Sequence, residues 1–345
     1  MFTALSVLAV SLLTAGEPLP AAPPPPDQIQ AAVARSLTLL EKSSTEYTVH
    51  RECFACHHQA LPILALSTAR PQGFQVSAEG IQKQLQFTAD SLAKNVDNYR
   101  QGRGQGGQTA TAGYALLALE LGGWKADATT TAVVEYLLLR DKNLDYWQVT
   151  SRRPPSEASS FTTTYLALRG LRTFGSPEQQ ERVTARSDRA RRWLLATPAK
   201  DTEDQVFRLG ALKLAGAADK EIRAAAQDLV KAQSKDGGWS QTGELDSDAY
   251  ATGSVLVMLH RAGSLPVSDP VYQRGLGFLV GAQQADGSWR VRSRSTPFQT
   301  YFESGFPHGK DQFISIAASS WATAALALAC PPVPQGLGTS PATAP

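Results

Sequence analysis

Three groups of residues in this sequence have types and spacings that suit chemistry. The first is Cys53-Phe54-Ala55-Cys56-His57, with His58 directly after it. Two thiols three positions apart, followed by an imidazole, form the pattern by which haem is attached covalently. The thiols take the two vinyl groups and the His takes the iron. Cys53 and Cys56 with His57 or His58 also suit another metal, and the two thiols alone suit a disulfide or remain free. For a haem, the further imidazoles are His50, His58, His260 and His308, because Met258 is the sole internal methionine. Cys330, the third cysteine, reads as a small buried hydrophobe.

The second group is Glu244, Asp246 and Asp248. A carboxyl kept protonated by burial and a neighbouring like charge can give a proton to an apolar substrate. An Asp just before a helix is also an ordinary N-cap and dipole partner. The third group lies in polar loops. One carries Arg290, Arg292, Arg294, Tyr301, Glu303, His308, Lys310 and Asp311; another carries Arg152, Arg153 and Glu157; Glu203 and Asp204 open a later helix. If these loops converge over an apolar mouth they make a ligand site. If not, they make local ion pairs.

The elements that must position these groups follow from a repeat. Gln233, Gly237 and Trp239 recur at the same spacing as Gln283, Gly287 and Trp289. Each unit suits a helix C-terminus: Gly ends the helix, Gln reaches free backbone groups and Trp covers the turn. Weaker copies are Tyr136-Leu137 with Trp147, and Arg189-Ala190 with Trp193-Leu194. Six amphipathic segments, about 27–43, 79–96, 127–140, 178–196, 219–233 and 270–284, show apolar residues at helical spacing. Each precedes a segment that is small and apolar all round: Gln59–Leu66, Ala112–Leu119, Thr164–Leu171, Gln205–Leu212, Thr252–Leu259 and Thr323–Cys330. The first kind reads as outer helices, the second as inner ones. The long outer-to-inner loops, 44–58, 97–108, 141–160, 234–246 and 285–312, are then expected at one rim, where inner-helix N-termini point. Tyr114, Phe161, Tyr165, Phe207, Tyr250, Phe313 and Trp321 are expected to line the lumen.

The Gln–Gly–Trp units resemble the QW repeat of squalene–hopene cyclases, related terpenoid cyclases and protein prenyltransferases. The resemblance implies an all-α fold, a single α/α toroid of six helical hairpins over residues 27–330. Glu244-Leu245-Asp246-Ser247-Asp248-Ala249 resembles the Asp-x-Asp-Asp acid motif of class II terpenoid cyclases, with Ala249 in place of the third aspartate. By that resemblance Asp248, with Asp246 beside it, is the catalytic acid in cyclisation of an apolar, isoprenoid-like substrate. Arg152, Arg153, Glu157, Tyr250, Tyr301, Glu303, His308, Lys310, Asp311 and Trp321 are the candidate substrate and rim residues. The competing expectation is a non-catalytic exported toroid that binds haem c or a protein partner at its rim.

The chain of 345 residues has room for one large core or two ordinary ones. A net charge of +2 gives no footprint for nucleic acid. Residues 4–16 are apolar but too short to span a bilayer, and no later run is long enough. Residues 1–22 read as a signal peptide, with small residues at Ala15-Gly16 and Ala21-Ala22 as cleavage points. A periplasmic or extracellular location follows. Residues 18–26 read as a Pro-rich linker and 331–345 as a disordered tail.

Overall fold

Apolar residues three and four apart put a buried stripe on every outer helix. In the first, Ile29, Ala32, Val33, Ser36, Leu37, Leu40, Ser43, Ser44 and Tyr47 face inward. The computed structural model describes residues 23–296 and 300–332. The signal-peptide reading, most of the linker and residues 333–345 of the expected tail therefore lie outside the described residues.

Six hairpins follow one another. They are α1 (Pro26–His50) with α2 (Leu61–Ala69), and α3 (Ala78–Ala93) with α5 (Gln108–Leu121), a short α4 (Val96–Arg100) lying between. Next come α6 (Ala128–Leu139) with α7 (Ser160–Phe174), and α8 (Gln180–Ala196) with α9 (Thr202–Leu214). The last two are α10 (Asp219–Lys231) with α11 (Ala249–Arg261), and α12 (Pro270–Ala282) with α13 (Gln312–Leu328). The second member of each pair is an inner helix. Each packs on the next, and α13 packs back on α2, so the ring closes into one α/α toroid. Among the described residues there are no strands, only two isolated bridges, Arg153 with Glu157 and Ser240 with Ser247. No described helix is long and apolar enough to cross a membrane.

Two inner helices, α11 and α13, are buried on every side over most of their length. All residues from Ala249 to Leu259 in α11, and from Ile314 to Ala327 in α13, are buried. Close approach requires small residues: a Cβ on Gly253 would stand 2.6 Å from the Ala322 nitrogen. Side-chain N-caps start many of the helices: Ser77, Asp127, Ser159, Asp201, Asp248 and Asp269 each accept a backbone N–H from the first turn.

The two Gln–Gly–Trp turns make matching contacts. Trp239 Nε1 donates to the Leu229 carbonyl at 2.7 Å, and Trp289 Nε1 to Leu279 at 2.7 Å. Trp147 does the same with Leu137 at 2.8 Å. Each glutamine also reaches the next outer helix. Gln233 Nε2 donates to the Val271 carbonyl in α12, and Gln283 Nε2 to the Ala32 carbonyl in α1, both at 2.8 Å. Gly237 and Gly287 have φ of 88° and 89°. A Cβ there would lie 2.6 Å from Arg274 O and 2.8 Å from the Arg35 backbone, so only glycine fits. These turns therefore join neighbouring hairpins as well as ending their own helices. Trp193 is different: it lies inside α8 and stacks on Tyr146 with centroids 4.6 Å apart.

Three boundaries differ from expectation. Helix α1 runs to His50 through residues expected as loop, because Ser44 and Tyr47 extend its buried stripe. The C-x-x-C-H stretch is only partly in a loop: Cys53–Ala55 are irregular, but Cys56–Ala60 form a π-helical turn that leads into α2. Helix α13 begins at Gln312 rather than at Thr323, since Ser315, Ser319 and Ser320 are buried too.

Candidate functional site

The long connections meet at one rim. Ser295 Oγ donates to the Pro154 carbonyl at 3.3 Å, and Arg294 Nε to Gln241 Oε1 at 2.8 Å, tying three loops together. They enclose a cavity of about 970 Å³, a size typical of small-molecule sites.

Its walls hold many of the candidate residues. His57, Arg153, Glu157, Tyr301, His308, Lys310 and Asp311 all line it. Arg290 and Arg292 add charge, and Phe313 and Ile314 from the first turn of α13 give it an apolar side. Arg153 is ion-paired with Glu157. Arg290 pairs with Asp311 at 3.2 Å, and Asp311 also accepts the Ser293 N–H at 2.9 Å. Arg292 and Lys310 have no ion pair among the described residues.

Of the C-x-x-C-H residues only His57 lines the cavity, and their exposures differ. Cys53 is exposed, its sulfur 3.8 Å from the Tyr47 hydroxyl. Cys56 is buried and donates to Glu157 Oε1 at 3.0 Å. Burial, then the Glu157 charge, push the Cys56 thiol well above its ordinary value. His57 Nδ1 lies 2.6 Å from His58 Nδ1, and the His57 ring is 4.9 Å from Phe313. His58 is fully buried, stacks on Tyr47 at 4.8 Å, and leaves Nε2 without a partner. Desolvation, then Arg153, lower the His57 pKa to about 3, and desolvation then His57 lower His58 well below normal. Both imidazoles are neutral at pH 7. All three cysteines are free, and among the described residues no three His, Cys, Asp or Glu are grouped to hold a metal ion.

His308 sits at φ 84°, a strained position for a residue with a Cβ. Its Nε2 is 2.7 Å from Ser288 Oγ, which donates to Asp286 Oδ1 at 2.6 Å. The wall is thereby anchored to the second Gln–Gly–Trp turn.

Other candidates lie elsewhere. Asp248 is the N-cap of α11: Oδ1 accepts from the Ala251 N–H at 2.9 Å and Oδ2 from Gln241 Nε2 at 2.8 Å. Desolvation raises its pKa against those hydrogen bonds and Arg294. It is not among the residues that line the cavity, and Asp246 is exposed on the preceding loop. Arg152 lines a separate groove with Gln148 and Arg294. Glu303 accepts from the Tyr301 hydroxyl on the surface. Tyr250 and Trp321 are buried inside the barrel. The lumen is packed rather than open: Tyr165 meets Phe207 at 5.3 Å, and Phe207 meets Trp321 at 6.3 Å.

The first turn of α9 holds a carboxyl whose electrostatics only the fold reveals. Glu203 is 5% exposed and accepts from Thr162 Oγ1 at 2.7 Å and Tyr250 OH at 3.1 Å. Desolvation raises its pKa to about 8, so it is mostly neutral at pH 7. Tyr47 and Gln241 escaped sequence reading. Tyr47 had a signal, since it continues the α1 stripe; Gln241 had none.

The fold defines the structural class: a single α/α toroid, the fold that type II terpene cyclases also have. The structure is similar to that of the type II terpene cyclase MstE from Scytonema without ligand, at TM-score 0.57 and 14% identity, over 89% of this chain and 99% of that one. A variant of that enzyme with its product, merosterolic acid A, gives 0.54 and 14% over 89% and 98%. A variant with its substrate, geranylgeranyl dihydroxybenzoate, gives 0.54 and 12% over 88% and 98%. No protein-family model and no curated protein matches the chain.

Proposed function

We propose that this chain is a terpenoid cyclase-like toroid that holds an amphipathic small molecule in its rim cavity. The molecule's anionic end lies among Arg153, Arg290, Arg292 and Lys310, and its apolar body lies on Phe313 and Ile314. The carrying observation is the cavity wall, where four cations face two carboxylates, Glu157 and Asp311, above an apolar side. Both imidazoles on the wall, His57 and His308, have lowered pKa values, chiefly from desolvation, and add no charge at pH 7. The substrate of the structurally similar MstE, geranylgeranyl dihydroxybenzoate, has this chemistry: a long hydrocarbon and a carboxylate. In this reading the chain is exported and works in the periplasm or outside the cell.

Acid-initiated cyclisation of an isoprenoid by Asp248 is the catalytic version, and its raised pKa favours it. Both Asp248 oxygens face donors, however, and Gln241 in turn is held by Arg294. A proton donor must aim an O–H at its substrate, so holding is better supported than turnover.

The test is calorimetric titration of the protein with geranylgeranyl dihydroxybenzoate, followed by product analysis. Saturable binding, weakened about tenfold in an Arg292→Ala, Lys310→Ala double variant (about 1.4 kcal/mol), supports the proposal. No binding, or binding indifferent to both residues, overturns it. A cyclised product lost in Asp248→Asn would replace holding with catalysis.

A further inference from the structure

The end of the barrel away from the rim holds a second cavity, of about 420 Å³. It lies where inner helices end. Glu120 of α5, Arg169 and Arg172 of α7, Lys213 of α9 and Arg261 of α11 give it its charge. We propose that this cavity is a binding site for a phosphate group, held by the guanidiniums of Arg169 and Arg261, with the exposed Arg172 and Lys213 at its mouth.

Four cations face one carboxylate, and that carboxylate is already engaged: Glu120 Oε2 accepts from Arg169 Nε at 2.6 Å. Arg172, Lys213 and Arg261 have no ion pair among the described residues. Water and salt screen the exposed Arg172 and Lys213. Arg261 is different. It is only partly exposed, and desolvation lowers its pKa. Its one hydrogen bond among the described residues goes to a neutral hydroxyl, Thr68 Oγ1, at 3.2 Å. A cation drawn out of water needs a counter-charge. The helix ends supply part of one through their negative poles. Their carbonyls, however, already accept backbone N–H groups: Ala211 from Ala215 at 2.8 Å, Met258 from Ala262 at 2.9 Å and Leu171 from Gly175 at 3.0 Å. Arg261 donates to none of them.

The lining selects among anions. A guanidinium fork matches the oxygens of a carboxylate or a phosphate, and an ammonium adds a point charge that suits phosphate. Four cations less one carboxylate leave three positive charges. A monoanion would offset one of them, whereas a phosphate near neutral pH offsets about two. Arg169 is set in advance, because Tyr165 OH accepts its Nη1 at 2.6 Å while Glu120 holds its Nε. A fork fixed in this way loses less freedom when it takes a ligand. Leu214 and Met258 line the same cavity, so the carbon part of a phosphate ester has an apolar surface to lie on.

The experiment is calorimetric titration of the full chain with inorganic phosphate and with phenyl phosphate, at an ionic strength held constant with sodium chloride. The expected result is saturable binding, weakened about tenfold or more in an Arg261→Gln, Lys213→Ala double variant. The Arg292→Ala, Lys310→Ala variant of the rim should keep it. Tighter binding of phenyl phosphate assigns the site to an organic phosphate; binding no tighter than that of the free ion assigns it to inorganic phosphate. Where the double variant does not fold, Lys213→Ala alone, a change at an exposed side chain, carries the same test. Melting separates this role from a structural one. A guanidinium that lacks its anion is a burden, so Arg261→Gln should melt higher than wild type without phosphate and lose the rise that phosphate gives wild type. No phosphate binding, binding indifferent to Arg261 and Lys213, or binding lost only in the rim variant would overturn the proposal. Affinity for geranylgeranyl dihydroxybenzoate should be the same in the far-end variants, so the rim reading stands or falls separately.

Discussion

The two ends of the barrel are finished differently. At the rim, inner-helix N-termini meet long loops and a cavity whose wall carries two ion pairs, with Arg292 and Lys310 beside them. At the far end, inner-helix C-termini meet short returns, and one ion pair lies among several cations. Arg169 pairs with Glu120 at 2.6 Å and donates to Tyr165 OH, while Arg261 reaches Thr68 at 3.2 Å. Guanidinium groups suit that end, because helix C-termini carry the negative pole. Between the ends the aromatics close the lumen. The larger cavity, about 970 Å³, is thus at the rim, and the far end has one of about 420 Å³.

Substitutions can break or sharpen that contrast. The largest loss should come from the joints between hairpins. Trp289→Ala removes a side chain only 1% exposed and a hydrogen bond to Leu279, and should cost about 3–5 kcal/mol. An unchanged urea midpoint would refute that structural role. At the far end, Arg169→Ala should cost about 1.5–3 kcal/mol while leaving ligand affinity as it was. A loss of affinity there would mean that the ends communicate.

The rim's own buried acid gives a pH signature. Glu203 has a folded pKa near 8 against an ordinary value of 4.5. Between those values the folded state holds a proton that the unfolded chain has lost. Its contribution is thus fully present below pH 4.5 and is lost as pH rises toward 8. Wild type should weaken over that range relative to Glu203→Gln, and parallel stability curves for the two proteins would rule this out. Asp248→Asn keeps a good cap and should cost about 1 kcal/mol or less. Smallest of all, Arg292→Ala should change stability by under about 0.5 kcal/mol while weakening ligand binding. A large stability loss would make the rim as structural as the far end.

The contrast also explains what the sequence could reveal. Outer helices were legible because water on one side forces a stripe, as in Ile222, Ala225, Ala226 and Leu229 of α10. Burial all round gives no stripe, so α13 was read from Thr323 and its first eleven residues were missed. Their hydroxyls were misleading: Ser319 Oγ accepts the Trp289 N–H at 3.0 Å, as Thr252 does for Trp239 and Thr164 for Trp147. The rim loops were legible as polar insertions, and His57, Arg153, Glu157, His308, Lys310 and Asp311 do meet. Arg152, Asp246, Glu303 and Trp321 do not join them. Which way a side chain points depends on loop path and helix rotation, and composition carries neither.

Ring closure has a consequence in time. Most hairpins pack on a neighbour only a few tens of residues away in sequence. The last seam joins Gln283 to Ala32 across 251 residues and Thr323 to Ser36 across 287. The entropic cost of so long a loop grows only slowly with its length, but contacts of such high order form late. During synthesis, the inward face of α1 waits for nearly the whole chain before α12 and α13 arrive to cover it. The closing seam should set the folding rate, and the Gln283 turn is the clasp on which completion of the ring depends.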